Sequence, residues 1–567
     1  MPAWDTDRPF HAVALVAGVM RQEGFSVCAH DVNIDFYRRV DDDEKAMWSE
    51  AHNQYWFEPD LPKSLWRKYR RWFADRLDAV LADKPALIAF SVNMSTRYLS
   101  IYAARYLKKR RPRTPILFGG VDCFPGEARA ESFLDAGRRP YCDVVCQGEC
   151  EVALPKFLAE FARTGSVRTQ VPGFAYRDRR ELVDTGDTEL PMLDEPLPTP
   201  AYDLFDLSKY TQPGSLPFFL TRGCVYRCNF CSERPNFRCF RARRAEEAFA
   251  ELQAVLPHAQ AHAKVPTLSL ADSNLNANPK VLREFVDLLL AHGVRIKWGG
   301  QAHFQKILTR DFLERMAQAG FVSVFWGLET GSQHVVDLMN KRYDQAEARR
   351  ILRDCEELGI RQVLPIIIGY PGETPADLVE TLDLIFEFSG RPLFKIGLPN
   401  LLVVRPNSPL HDDWQSHGLA NTRYYDWSTA DGTNDLHVRL ARRFVARQAH
   451  SNPELSLDAL ADTGEMPQVK LNNEPAAGDL FEICRLLFDR AGCVEEFARR
   501  LREWSGRDRN QPPKDLWKRL DKDGSSGRGK TYELVLAALR RYRQVVAERI
   551  AVRRGSAPSA AADAPAT

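Results

Sequence analysis

Thr221-Arg-Gly-Cys-Val-Tyr-Arg-Cys-Asn-Phe-Cys231 puts three thiols, Cys224, Cys228 and Cys231, on one short loop at C-x3-C-x2-C spacing. Thiols this close in sequence can converge on a single metal centre. Iron–sulfur clusters are held by cysteine thiolates, usually four of them. Three from one loop would leave one iron of a four-iron cluster open to a ligand that is not protein. An open coordination position separates a reactive metal from a structural one, as zinc sites illustrate. The competing reading is a zinc knuckle that takes Cys239 as its fourth ligand, since zinc sites also use cysteines a few residues apart.

The sequence around the loop alternates strand-like and helix-like segments. Strands are expected at Phe218–Leu220, Thr267–Leu270, Val294–Trp298, Val322–Trp326, Val363–Ile368 and Leu393–Val404, with helices near 244–256, 279–291, 310–319, 344–358 and 375–388. These make about six βα units in roughly two hundred residues, too few for a full eight-fold barrel, so an open, partial barrel fits. Barrel chemistry gathers on loops at the C-terminal ends of strands. Cys224 lies just after the first strand, so the thiol loop falls where chemistry is expected.

Upstream, helices are expected at 11–23, 72–82, 98–110 and 151–163, and strands at Phe25–Asp31, Ala86–Ser91, Pro115–Gly120 and Asp143–Cys146. The short apolar runs suit buried parallel strands, and the alternation argues for a doubly wound α/β domain. The opening strand of such a fold is not visible before residue 10. Residues 165–215 break the pattern with a hairpin at 174–183 and a proline-rich stretch (Pro196, Pro198, Pro200) that suits a linker. Beyond residue 436 the chain reads as helices at 436–448, 476–490, 493–504 and 531–552, and the Ala/Pro/Ser-rich end reads as disordered. The division expected is 1–164, 165–215, 216–412, 413–554 and 555–567.

With 567 residues, 44% hydrophobic and 27% charged, the chain reads as a multidomain globular protein. Its net charge of +2 gives no global pull toward nucleic acid or anionic lipid. No apolar run reaches bilayer length and no secretory leader is visible. A cytoplasmic location is therefore expected, where the twelve cysteines would be core residues and ligands, not disulfides.

Thr221-Arg-Gly-Cys after a strand, with Phe230 before the third cysteine, resembles the radical S-adenosylmethionine (radical SAM) superfamily. Four further segments resemble its motifs in the family's order. Leu270-Ala-Asp-Ser-Asn-Leu-Asn-Ala-Asn278, with Asp272 and Ser273, resembles the polar segment that binds the SAM amino group. Gly327-Leu-Glu-Thr-Gly-Ser332 resembles the element whose glutamate, here Glu329, reaches the SAM nucleoside. Ile367-Ile-Gly-Tyr-Pro-Gly-Glu-Thr374, with Gly369, resembles the motif beside adenine. Arg405-Pro-Asn-Ser-Pro-Leu410 resembles the Pro-Gly-Thr-Pro-Leu turn that closes the core. The resemblance implies that the three cysteines hold a [4Fe–4S] cluster whose fourth iron takes the amine and carboxylate of SAM. Cleavage of the sulfonium then gives a 5′-deoxyadenosyl radical. It also implies an electron donor such as flavodoxin or ferredoxin. Cys239 becomes a spare thiol expected to pack.

The first domain resembles the cobalamin-binding domains of the B12-dependent subfamily. The matching loops are Ser91-Val-Asn-Met-Ser-Thr96, Gly119-Gly-Val-Asp122 and Gln147-Gly-Glu-Cys-Glu151. They imply cofactor contacts at Asn93, Ser95, Thr96, Gly119, Gly120, Asp122, Gly148 and Glu149, at the strand ends where open α/β sheets bind ligands. Glycine at 119 and 120 would let backbone approach a flat macrocycle. The Asp-x-His-x-x-Gly motif that supplies a cobalt-ligating histidine is absent; the domain's histidines are His11, His30 and His52. The resemblance therefore implies cobalamin bound without a protein histidine.

The expected fold class is α/β: an N-terminal Rossmann-like doubly wound cobalamin-binding domain, a partial (β/α)6 TIM-type radical SAM barrel and a C-terminal all-α domain. The expected activity is B12-dependent methyl transfer to an unactivated carbon of a specialised metabolite, peptide or lipid. B12-assisted oxidation, cyclisation or rearrangement is the alternative, and a non-catalytic zinc-binding protein the reading from another class. Gly524-Ser-Ser-Gly-Arg-Gly-Lys-Thr531 matches a P-loop by letter, but a charged helical run precedes it where a P-loop needs a strand. It reads as a solvated loop. The basic C-terminal helices suit an acidic or peptide substrate, or simply a solvated face.

Overall fold

The computed structural model describes residues 1–2, 5–49, 52–124, 129–134, 140–179, 181–233, 237–450, 474–505 and 529–553. The chain divides into two units. The first is Met1–Val225, Glu233–Gln301 and Glu314–Val322; the second is Tyr226–Ser232, Ala302–Leu313 and Ser323–Thr567.

The first unit opens on the helix His11–Gln22, as its periodicity predicts. The strand expected at Phe25–Asp31 does not form. Asp31 instead caps the helix Val32–Arg39, its carboxylate accepting from the N–H groups of Asn33 and Ile34 at 3.0 and 3.1 Å. A short polar side chain that satisfies orphan N–H groups starts a helix where apolar composition alone suggested a strand. The helices Asp60–Lys68 and Arg70–Ala82 follow. Phe36, Trp56, Tyr69 and Phe73 form a buried aromatic layer over Leu99, which hydrophobic periodicity did not foretell.

Strands β1 (Ile88–Ser91), β2 (Ile116–Gly119) and β3 (Val144–Cys146) are parallel, with Ile88 opposite Ile116 and Leu117 opposite Val144. The helices Arg97–Arg110 and Ala153–Thr164 flank them. β2 and β3 are buried from Ile116 to Phe118 and from Val144 to Cys146, as strands covered on both faces must be. The hairpin β4 (Phe174–Asp178) and β5 (Glu181–Asp184) joins β3 antiparallel, Val144 facing Tyr176. The first sheet thus runs on past residue 164.

Five further strands follow in this unit, three of which carry the start of the barrel. β6 (Ser215–Phe218) leads to a two-residue ladder of β7 (Thr221–Arg222) with β8 (Arg241–Ala242). β9 (Thr267–Leu270) pairs in parallel with both β6 and β10 (Lys297–Ala302). Helices Ala245–Gln260 and Pro279–Ala291 cross over between them, the second started by the Asn278 cap and Pro279 at its first turn.

In the second unit β11 (Phe321–Trp326, from Ser323 onward), β12 (Arg361–Leu364) and β14 (Phe394–Ile396) are parallel. The strand expected over 363–368 breaks at Pro365, which has no N–H to donate, and resumes as β13 (Ile367–Ile368). β13 pairs with β15 (Asn400–Leu401), so the segment expected over 393–404 is likewise two short strands. Helices Gln345–Glu357 and Pro375–Phe388 follow β11 and β13, and the short helix Gln333–Leu338 was not foreseen. The helices Leu436–His450, Glu474–Arg490 and Gly529–Arg553 pack against Pro375–Phe388. The first unit holds three of the parallel strands expected of a (β/α)6 barrel, β6, β9 and β10, and the second holds β11, β12 and β14.

No helix among the described residues is long and apolar enough to cross a membrane. Residues 524–528 of the P-loop look-alike lie outside the described residues, as do 554–567; Gly529, Lys530 and Thr531 begin a helix.

Candidate functional site

The division between the units falls inside the thiol loop, so its two flanks are anchored in different surroundings. On the first unit's side Asp272 holds the approach to the loop. Its carboxylate is 1% exposed and accepts from the Leu220 N–H at 3.1 Å and from the Thr221 N–H and hydroxyl at 2.6 Å each. Burial pushes this carboxyl up to about 6, against the opposing pull of the Thr221 hydroxyl and the Leu220 N–H. The side chain expected to meet SAM thus binds its own chain, three residues before Cys224. Ser273 donates to Glu233 at 2.5 Å, two residues beyond Cys231.

Arg222 donates to Glu149 at 2.5 Å and pairs with Glu151 at 2.6 Å. Arg241, its partner across the β7–β8 ladder, grips both oxygens of Glu149. Burial lowers the Arg222 pKa, but Glu151 and Glu149 more than offset it and hold the guanidinium charged. Glu149 is therefore committed to two arginines. Arg222 stood in the quoted motif, but its partners lie about seventy residues earlier, beyond the reach of any local pattern.

The other loops of the first sheet are similarly self-satisfied. Asn93 accepts from the Ser95 and Thr96 N–H groups at 3.0 Å, in the turn before the helix Arg97–Arg110, and Thr96 accepts from the Asn93 N–H at 2.9 Å. Asp122 is a bidentate partner of Arg97 at 2.5 Å. Gly120, at φ +109°, is required by the chain itself, because a Cβ there would stand 2.5 Å from the Val92 carbonyl oxygen. Gly119 lies beside Cys146, and Gly148 beside Thr188. Val121, in contrast, is 51% exposed at these strand ends. The domain's histidines lie elsewhere: His11 bonds Tyr202, His30 bonds Asp83 and His52 bonds Ser49. What these loops leave for a ligand is backbone and aliphatic surface, which fits a flat macrocycle that takes no imidazole from them.

In the second unit Asn229 ties down the rest of the thiol loop. Its N–H donates to Met339 at 3.0 Å, its side-chain amide donates to Leu338 at 2.8 Å, and its carbonyl accepts from the Leu410 N–H at 2.7 Å. Leu410 ends the Arg405–Leu410 segment, in which Asn407 sits at φ +64° where the family's turn has glycine. Asparagine is among the few residues that tolerate this conformation. The Cys231 N–H donates to the Cys228 carbonyl at 3.1 Å, tightening the loop. Phe230 packs against an apolar cluster that includes Val335, Tyr370 and Trp427.

Glu329 stands at φ +67° and is bridged to Ile366, its carbonyl accepting from the Ile367 N–H at 2.8 Å. Its carboxylate pairs with Lys341 at 3.0 Å, and the Lys341 ammonium lies 5.6 Å from the Phe230 ring centre. Lys341, only 3% exposed, was not foreseen; a lone lysine in a polar stretch carries no sequence signal. Gly327 donates to Ala302 at 2.9 Å. Gly369, at φ +83°, receives the aliphatic stem of Arg439, whose Cγ would stand 2.3 Å from any Cβ. Tyr226 stacks on His303 at 3.9 Å and accepts from Gln305 at 2.7 Å. Burial lowers His303 to about 4, so this imidazole is neutral at ordinary pH.

No disulfide joins any of the twelve cysteines, all of which are among the described residues. Cys224, Cys228 and Cys231 are half-buried, and Cys239 is exposed, not packed as expected. Among the described residues no three of His, Cys, Asp and Glu form a ready metal-ion group. The donors this loop offers are soft thiolates, which select iron–sulfur clusters or zinc over hard cations.

Residues 218–385 match the model of the radical SAM superfamily. The chain is 26% identical over 258 residues to the anaerobic magnesium-protoporphyrin IX monomethyl ester cyclase of Cereibacter sphaeroides, covering 44% of this chain and 41% of that one. It is 27% identical over 248 residues to the hopanoid C-2 methylase of Rhodopseudomonas palustris, covering 43% and 45%. The matches thus span less than half the length of either relative. A solved structure of the cobalamin-dependent S-adenosylmethionine radical enzyme OxsB with aqua-cobalamin bound aligns over 98% of this chain and 80% of that one. Its TM-score is 0.63 at 16% identity, a likeness of fold.

Proposed function

From the match of residues 218–385 to the radical SAM superfamily, we propose that the protein is a cobalamin-dependent radical SAM methyltransferase acting on an unactivated carbon. The observation that carries this reading is the loop of three half-buried cysteines placed shortly after the first barrel strand. Bound here, a [4Fe–4S] cluster would supply the electron that cleaves SAM, and cobalamin the methyl group for the substrate radical. Cys224, Cys228 and Cys231 would hold the cluster. Lys341 fixes the Glu329 carboxylate for the nucleoside, and the apolar cluster around Phe230 keeps water from the loop. The strand-end loops of the first sheet would hold the corrin against backbone and Val121.

The substrate is a small molecule, peptide or lipid, and the reductant a flavodoxin or ferredoxin. Likeness to a cyclase as well as a methylase supports a second reading, B12-dependent oxidation or ring formation without methyl transfer. Anaerobic reconstitution with iron, sulfide and hydroxocobalamin tests both. Methyl transfer predicts that, under reducing conditions, isotope from methyl-labelled SAM appears on protein-bound cobalamin. Cobalamin that is retained but never labelled would overturn methyl transfer in favour of the second reading. Brown colour should be lost in Cys228→Ala and kept in Cys239→Ala. A colourless, zinc-loaded wild-type protein would sink both readings.

A further inference from the structure

The third strand-end loop of the first sheet, Gln147–Glu151, is wired to the thiol loop. Glu149 and Glu151 face Arg222 and Arg241, two carboxylates against two guanidinium groups, with side-chain exposures of 6, 10, 12 and 13%. The quartet is charge-balanced and nearly dry, so removing one member leaves a buried ion unpaired, which is strongly destabilising. Its attachments extend in both directions. Arg241 also donates to the Pro191 carbonyl at 3.0 Å, and the Thr188 hydroxyl donates to the Glu149 carbonyl at 3.0 Å. Arg222 lies two residues before Cys224 and is fixed opposite Arg241 in the β7–β8 ladder. Glu149 follows Gly148, in the loop that leaves the C-terminal end of β3.

We propose that Glu149 and Glu151 are positioning residues, and that through Arg222 they couple ligand occupancy of the first sheet's loops to the geometry of the thiol loop. The ligand is cobalamin, so the inference rests on the cobalamin reading above. A ligand seated on Gln147–Glu151 shifts or stiffens the backbone that carries both carboxylates. The bidentate forks transmit that displacement to β7, whereas a single flexible ion pair would absorb it. Coupling of this kind is reciprocal and typically worth about 5- to 150-fold in affinity.

The test uses the full chain with its cluster loaded, followed by electron paramagnetic resonance of the reduced cluster before and after addition of hydroxocobalamin. Wild type should give two distinguishable cluster spectra. Glu149→Gln should give one, with unchanged iron content. Arg222→Lys keeps the charge but cannot fork between two carboxylates, and should behave like Glu149→Gln even if the latter folds poorly. Glu189→Gln, at an exposed pair with Lys156, should respond as wild type does. Identical wild-type spectra with cobalamin demonstrably bound, or a full response in both network variants, would overturn the coupling and leave the cobalamin reading intact. Failure of wild type to retain cobalamin would overturn both.

Discussion

Asp272 is a single carboxylate whose surroundings set both its proton and its purpose. It accepts hydrogen bonds from Leu220 and Thr221, the residues that lead from the first barrel strand toward the thiol loop. Its pKa is raised by burial from 3.8 to about 6. A raised carboxyl favours the folded state while protonated, so its stabilisation is complete below about pH 4 and is lost as pH rises through about 6. The difference is on the order of 2–3 kcal/mol. Asp272→Asn cannot ionise, so a denaturant titration of the variant should show a flatter dependence of stability on pH between 4 and 6 than wild type. It also turns an amide donor toward groups that need an acceptor, and should lower stability at pH 5 by about 1–3 kcal/mol. Equal pH slopes for the two proteins would exclude the assignment.

Among elements, the helix Leu436–His450 grips the segment Ile367–Thr374. Arg442 donates to the Glu373 carbonyl at 2.6 Å and forks onto Asp479 at 2.7 and 2.8 Å, with 3% of its side chain exposed. Arg442→Met should cost about 3–5 kcal/mol in a chemical melt, because it strands two buried carboxylates. It should also weaken SAM binding, measured by equilibrium dialysis, because the same helix seats Gly369. The sequence disclosed these elements unevenly. Helices 279–291 and 375–388 were legible to the residue, since a cap, a proline at the first turn and an apolar stripe agreed. Phe25–Asp31 was not, because an Asp31 cap outweighed β-like composition. The cysteines announced themselves by spacing. Asp272, Glu149 and Lys341 were assigned or overlooked without their true partners, since those contacts join residues a dozen to ninety positions apart.

For the whole molecule, the C-terminal helices are part of the second unit's core. Leu382, Leu384, Ile385 and Phe388 of the helix Pro375–Phe388 are fully buried, and helices from beyond residue 435 pack on that element. Ending the chain at residue 473 removes Asp479 from Arg442 and uncovers this apolar surface. The truncated protein should lose its cooperative thermal transition and elute as aggregate on gel filtration; a soluble species with a wild-type melt would refute this. The seat of Arg439 on Gly369 has a further consequence, for biosynthesis. Asp479 leaves the ribosome about 110 residues after Gly369, a delay of roughly 5–20 s at ordinary translation rates. For the last part of that interval Arg439 and Arg442 have emerged but Asp479 has not, so the arginine that bridges Glu373 and Asp479 in the finished fold must wait for its second carboxylate.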